Sequence, residues 1–188
     1  MQLMNAIKKR KSVKRFSNKK PNWRKVIRAI DAARFSPAAG NQFAMKFIMI
    51  SDKETIQKLA EASQQEFVRD AHFVVVAVSD DSKLERSYAE RASRYSRQQA
   101  GAAIQNFLLA AEEQGLATIW VGHFVEDQIK TILGIPEKMV VEAFFPIGHE
   151  TAIKGSEARK PELENILYFG KWGNKKMEPE TRITSRNA

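Results

Sequence analysis

The residues best suited to chemistry in this chain lie in a few short segments. Arg10, Ser12 and Lys14 alternate within Arg10-Lys11-Ser12-Val13-Lys14-Arg15-Phe16. In an extended stretch the two-residue period puts all three on one side. A planar guanidinium, a hydroxyl and an ammonium converging there suit a phosphate, through bidentate hydrogen bonds, a neutral donor and a point charge. A solvated basic loop is the competing reading. Ser36-Pro37-Ala38-Ala39-Gly40-Asn41 has almost no side-chain bulk, so a flat ring could lie against its backbone while Asn41 offers a donor and an acceptor to the ring edge. A plain helix-to-strand turn uses the same residue types. Gly115-Leu116-Ala117-Thr118-Ile119-Trp120-Val121-Gly122 ends in a glycine that lets a backbone N–H approach a ligand closely. Trp120 within it reads either as a ligand neighbour or as a core aromatic. Arg159-Lys160-Pro161 supplies a late cation, able to complete a phosphate cage or to serve as surface charge. With no cysteine there is no thiolate nucleophile. The three histidines, His72, His123 and His149, lack ligand spacing, so no metal site is expected.

These segments need elements to hold them. Leu3 and Ile7 predict a short first helix ending near Lys9, and Trp23, Val26, Ile27, Ile30 and Ala33 a second from Pro21 to Arg34. Residues 46–50 (KFIMI) read as a buried strand. Ser51-Asp52-Lys53-Glu54 reads as a capping box opening a helix with Ile56, Leu59 and Ala60 on one face. Residues 73–79 (FVVVAVS) are continuous and β-branched, as expected of a central strand covered on both sides. Residues 80–94 are polar and read as an excursion. Residues 95–114 form a helix apolar nearly all round, closed by Gly115 and suited to a core or a subunit interface. A short strand at 118–121, a helix from about Val125 to Gly134 and a strand at 140–147 broken by Pro146 and Gly148 follow. Leu163, Ile166 and Leu167 mark a last short segment, and an extended or disordered tail spans 173–188. The fold class is α+β, with one domain over residues 1–172.

The chain carries 31 Lys and Arg against 22 Asp and Glu, a net charge of +9, which invites a nucleic-acid reading. Eleven bases precede the first acid, Asp31, and removing them leaves 20 bases against 22 acids. The excess is local, as one anion-binding region requires. Lys19, Lys20, Arg24, Lys25 and Arg28 are read as a solvated helix face. There is no helix-turn-helix, RNP-like strand or zinc knuckle, so no nucleic-acid partner is expected. No stretch approaches the roughly 18 apolar residues that cross a bilayer, and the basic start has no apolar h-region. A soluble, cytoplasmic chain without a membrane partner is expected.

In this order the segments resemble the FMN-dependent nitroreductase family. Arg10 to Phe16 is similar to its R-R-S-x-R-x-F motif, with Lys at two Arg positions. Pro37, Asn41 and Phe47 match a second motif, A-P-S-x-x-N-x-Q-P-W-x-F, with Ala38 where Ser is common and Phe43-Ala44-Met45 in place of Gln-Pro-Trp. Residues 115–122 match G-L-G-T-x-W-I-G, and Pro146, Gly148 and residues 159–161 match P-x-G-x followed by R-K-P. Gln65 resembles a family position near the flavin ring. The resemblance spans residues 3 to about 170. It implies a nitroreductase-like fold with a central mixed β-sheet flanked by helices, and a homodimer with the long buried helix at its interface and FMN in two interface clefts. Arg10, Ser12, Lys14 and Arg159, helped by Lys11, would hold the phosphate and ribityl chain. Pro37, Ala38, Ala39 and Asn41 would line the ring from the other subunit. Trp120, Val121 and Gly122 would pass near the flavin N5. NADH or NADPH would deliver hydride there, and a nitroaromatic or quinone would take it in a second half-reaction, with no catalytic side chain assigned. The replacement at residues 43–45 leaves the acceptor open, dehalogenating chemistry included. A flavin-binding protein for storage or sensing is the alternative.

Overall fold

Every position of β2 (Phe73–Ser79) is buried, and alternate residues enter different cores. Val74, Val76 and Val78 join one apolar cluster; Phe73, Val75 and Ala77 join the other. Period-two geometry makes this inevitable for a strand with helices on both faces, and it explains the unbroken apolar run. The computed structural model describes residues 3–151 and 160–177, which divide into two compact units, Met1–Gly155 and Ser156–Ala188.

In the first unit, β1 (Met45–Ile50), β2, β4 (Val140–Gly148) and the two-residue β3 (Ala117–Thr118) form a sheet in the order β1-β2-β4-β3. One face carries α3 (Lys53–Ser63) and α6 (Glu126–Leu133), through Ile56, Leu59 and Ile129. The other carries α2 (Trp23–Ala33) and α5 (Ala92–Glu113), through Val26, Ala29, Ile104 and Phe107. Among the described residues all three pairings are antiparallel, where a mixed sheet was expected. The reason lies in the connection: Ile50 pairs with Val74, so the chain leaves β1 and re-enters β2 at the same end of the sheet. α3 and the turn Glu66–Asp70 fold out and back there, and no crossover reverses the direction.

β4 pairs Val141 with Val78 and Ala143 with Ala77, leaving Glu142 as a bulge. Its carboxylate accepts from Ser79 Oγ at 2.6 Å and from the Arg97 guanidinium, which also reaches Asp81 at 2.7 Å. Burial works against the Arg97 charge, but Glu142 and Asp81 outweigh it and hold the group above its ordinary value. This cluster ties the start of α4 (Ser82–Tyr88) to the sheet and to α5. Residues 80–94, expected as an irregular excursion, are therefore largely helical, with Leu84 and Ala92 buried against Ala44.

Pro146 sits inside β4 rather than breaking it. Val121 and Phe144 exchange both backbone hydrogen bonds at 3.0 Å, so the alternation of an antiparallel ladder makes Ile119 and Pro146 the next bonded pair. Pro146 has no N–H to give, and the expected strand over 118–121 splits into β3 and a lone bridge at Val121.

Helix ends follow side-chain chemistry. Asp52, not Ser51, caps α3, accepting from the Thr55 N–H at 2.8 Å and its hydroxyl at 2.7 Å. Gly115, at φ +70°, closes α5 through Gly115 N–H to Glu112 and Leu116 N–H to Ala111, a Schellman pattern. Two lysines read as solvated have partners: Lys25 donates to the Gln114 carbonyl at 2.8 Å, and Lys20 lies 5.4 Å from the Phe73 ring centre. α1 spans Leu3–Lys9 as expected. In the second unit, α7 (Leu163–Ile166) precedes a turn closed by Phe169 N–H to Asn174, with the Lys175 ammonium 3.8 Å from the Tyr168 ring centre. Among the described residues no helix is long and apolar enough to cross a membrane.

Candidate active site

The cationic segment is fixed by its two apolar residues. Val13 and Phe16 are buried in the cluster beneath α3 and α6, so their neighbours Ser12, Lys14 and Arg15 are exposed, with Arg10 half-buried. Val13 N–H donates to the Thr118 carbonyl at 3.0 Å, laying the segment along the outer edge of β3. Phe16 bridges Glu150, with Ser17 N–H to His149 at 2.8 Å and Thr151 N–H to Arg15 at 3.3 Å. Gly148 lies under the Phe16 ring so closely that a Cβ there would sit 2.7 Å from Phe16 Cδ1. Lys11 is paired with Glu150 at 2.8 Å, whereas among the described residues no carboxylate pairs with Arg10 or Lys14. The Lys14 ammonium stands 5.2 Å from the Phe67 ring centre, and Phe67 belongs to the turn that half-buried Gln65 opens.

The same strand edge carries donors. Residues 117, 119 and 121 direct their backbone groups at β4, so 118, 120 and 122 direct theirs outward. Thr118 spends its carbonyl on Val13, while the N–H groups of Trp120 and Gly122 have no partner among the described residues. Val121 N–H, by contrast, is committed to Phe144. Trp120 is 42% exposed and meets Phe145 edge-on at 5.7 Å, so it is neither a fully buried core ring nor a free one. Thr118 Oγ1 is buried without a partner behind this edge.

The small-residue loop is held elsewhere in the unit. Gly40 and Asn41 take φ of +56° and +57°, and a Cβ on Gly40 would lie 2.6 Å from Tyr88 Oη. Only glycine fits that backbone against that hydroxyl. Gln99, buried in α5, accepts from Ala44 N–H at 2.7 Å and donates to the Gln42 carbonyl at 3.2 Å; Gln42 in turn donates to Ser87 Oγ at 2.9 Å. Pro37, Ala38 and Ala39 from the loop and Tyr95, Gln98, Gln99 and Ala102 from α5 line a groove of about 340 Å³. Asn41 is exposed at its end.

The structure thus gathers Arg10, Lys11, Ser12, Lys14, Gln65 and residues 120–122 around one strand edge, and sets Pro37, Ala38, Ala39 and Asn41 on α4 and α5. Arg159 lies outside the described residues. Gln99, Tyr88 and Tyr95 escaped the sequence reading. Gln99 carried a signal: it is an amide within the apolar stripe that runs through Ala92, Ser96, Ala103 and Phe107.

The donor set fits a phosphorylated planar cofactor. It offers an unpaired guanidinium and ammonium, a hydroxyl and two outward N–H groups along one edge, with a bare groove on the same chain. Helix–sheet–helix layers presenting these features define a nitroreductase-like oxidoreductase fold. The Nitroreductase family profile matches residues 7–67 and 60–149, and the chain belongs to that family. A relative from Methanothermobacter thermautotrophicus, provisionally named NADH dehydrogenase/NAD(P)H nitroreductase, is 27% identical over 161 residues, 83% of this chain and 81% of its own. The crystal structure of a nitroreductase family protein from Clostridium novyi NT superimposes with a TM-score of 0.74 at 26% identity, covering 93% of this chain and 96% of that one. An FMN-dependent nitroreductase from Clostridium difficile R20291 gives 0.76 at 20% identity, over 90% and 99%, a likeness of fold alone.

Proposed function

We propose that this protein is an FMN-dependent oxidoreductase that uses NADH or NADPH to reduce nitroaromatic or quinone-type acceptors, working as a homodimer in the cytoplasm. The observation that carries this reading is the β3 edge, where the unpaired Arg10 and Lys14 and the outward N–H groups of Trp120 and Gly122 share one strand with Val13 anchored between them. Arg10, Ser12 and Lys14 bind the phosphate, with Arg159 as a further cation and Lys11 holding the segment through Glu150. The N–H groups of Trp120 and Gly122 stabilise negative charge on the ring, and Gln65 lies at its side. Pro37, Ala38, Ala39 and Asn41 of a second copy lie against the ring, which is why one chain carries two separately braced half-sites. When bound, FMN supplies the two-electron hydride relay that no side chain here provides. Overall, NAD(P)H and one proton reduce a quinone to its hydroquinone, and NAD(P)⁺ leaves. The two substrates take turns at one face, so the residues around it need only bind, orient and exclude water.

A visible spectrum of the purified protein, mass identification of any released flavin, and NADH and NADPH oxidation with 1,4-benzoquinone test the reading, with sedimentation giving the oligomeric state. Yellow dimeric protein that turns over is the expected result. Colourless protein that takes up no added FMN overturns the assignment. Yellow protein that oxidises neither donor moves it to flavin storage or sensing.

A further inference from the structure

The groove beside the small-residue loop has a composition of its own. None of the described residues lining it carries a charge, although eleven bases crowd the chain before Asp31. Arg97, one residue from Gln98, is committed to Asp81 and Glu142, and exposed Arg94 does not line the groove. Its one aromatic wall, Tyr95, is held in place. Tyr88 meets the Tyr95 ring edge-on, at 5.0 Å and 90°, and Tyr88 is itself fixed by its hydroxyl against Gly40. Opposite Tyr95 the loop offers only proline and alanine. Gln98 is exposed at the groove, and among the described residues its amide has no partner. At about 340 Å³ the groove stands near the lower end of small-molecule sites.

From this we infer that the groove is the acceptor subsite and selects uncharged, flat molecules of one or two rings, with Tyr95 as the stacking wall and Gln98 as the donor to a nitro or carbonyl oxygen. This rests on the function proposed above and deepens it by naming the acceptor class. A ring between Tyr95 and the bare loop gains aromatic contact on one side and apolar contact on the other. A carboxylate on the same ring meets no cation and gives up water for nothing.

Isosteric probes separate charge from shape. Calorimetric titration of the purified holoprotein with 4-nitrobenzamide and with 4-nitrobenzoate reads binding without turnover. The wild type is expected to bind the amide about tenfold more tightly than the carboxylate. Tyr95→Ala should weaken the amide about five- to tenfold, and Tyr95→Phe, which keeps the ring, should leave it nearly unchanged. Gln98→Lys should tighten 4-nitrobenzoate two- to fivefold with little change for the amide, since a rim cation adds only modest attraction. Equal binding of the two probes by the wild type overturns the inference, as it would if Arg94 reached the groove. So does a Gln98→Lys variant that leaves 4-nitrobenzoate untouched, or a Tyr95→Phe variant as weak as Tyr95→Ala. A colourless protein sinks the flavin assignment instead, while the two titrations still report on the groove.

Discussion

Replacing Gly148 with Ala tests whether the cationic segment is seated as the structure has it. The added Cβ would stand 2.7 Å from Phe16 Cδ1 and 3.0 Å from both its Cβ and Cγ. Rotating the ring relieves the first contact. It does nothing for the contact with Phe16 Cβ, which moves only with the backbone. That backbone is pinned by Ser17 N–H to His149 at 2.8 Å and Thr151 N–H to Arg15 at 3.3 Å, so relief means shifting residues 15–17 away from β4. Overpacking of this kind costs about 1–3 kcal/mol. Because Ser12 and Lys14 ride on the same segment, FMN affinity should fall with stability.

A double-mutant cycle isolates the contact. Phe16→Ala alone should cost about 3–5 kcal/mol, as for any buried phenylalanine. In that background the ring contacts are gone and the cavity gives the new methyl room, so Gly148→Ala should cost little. The coupling is then about 1–2 kcal/mol in favour of the double variant. Urea unfolding followed by tryptophan fluorescence reads all four proteins, with a constant m-value as the check on two-state behaviour. Equal Gly148→Ala penalties in the two backgrounds, or a penalty near zero in the wild type, would refute the seating of Phe16 on Gly148 and with it the placement of the segment.

Arg10→Ala should lower FMN affinity about ten- to a hundredfold, the value of a charge-assisted hydrogen bond pair, without moving the urea midpoint; flavin fluorescence on titration measures it. Arg97→Met leaves Asp81 and Glu142, both largely buried, without their cation. The guanidinium is 36% exposed, so the cost should be about 2 kcal/mol, below the 3–5 of a fully buried pair, and the urea midpoint should report it. The Thr55 N–H and hydroxyl hold the Asp52 carboxyl below the ordinary aspartate range. A depressed carboxyl stabilises the fold above its unfolded value, about 3.9, and loses that contribution as pH falls through its lower folded value. Asp52→Ala should therefore be less stable than the wild type at pH 7, and the gap should shrink below about pH 4; a gap that persists at pH 2 contradicts the cap.

Much of the fold was readable because burial leaves a pattern. β2 announced itself because a strand covered on both faces has no polar position to spare, and α5 because its stripe runs unbroken from Ala100 to Ala111. Strand direction was not readable, since hydropathy has a period but no sense; the antiparallel sheet comes from where the chain re-enters at Val74. α4 was hidden because seven residues with one fully buried side chain, Leu84, are too few to show a helical period. Ser51 and Asp52 both make good caps, and only the reach of the Asp52 carboxylate to Thr55 decides between them. Glu142 sits in a strand that reads as apolar. Its place as a bulge, turned to Arg97 and Ser79, depends on a register that no local pattern encodes.

The site shows the same division, and Pro146 shows why. In sequence a proline in a strand reads as its end. Here the missing N–H points at β3 rather than β2, as the His72 N–H to Ile147 carbonyl bond on the β2 side requires, so β4 loses one ladder bond and continues. The loss falls on the edge strand, opposite Ile119 and just before Trp120. β3 is thereby cut short, and the sheet is extended past it not by more strand but by the cationic segment, which takes the Thr118 carbonyl through Val13. Residues 10–14 and 120–122, more than a hundred positions apart, are neighbours for that reason. The spacing of Arg10, Ser12 and Lys14 told which side chains share a side; Val13 and Phe16, three apart and both apolar, told which side is buried. That the exposed side faces Trp120 and Gly122 follows only from a hydrogen bond to an edge carbonyl, and an edge is a property of the sheet, not of any residue in it.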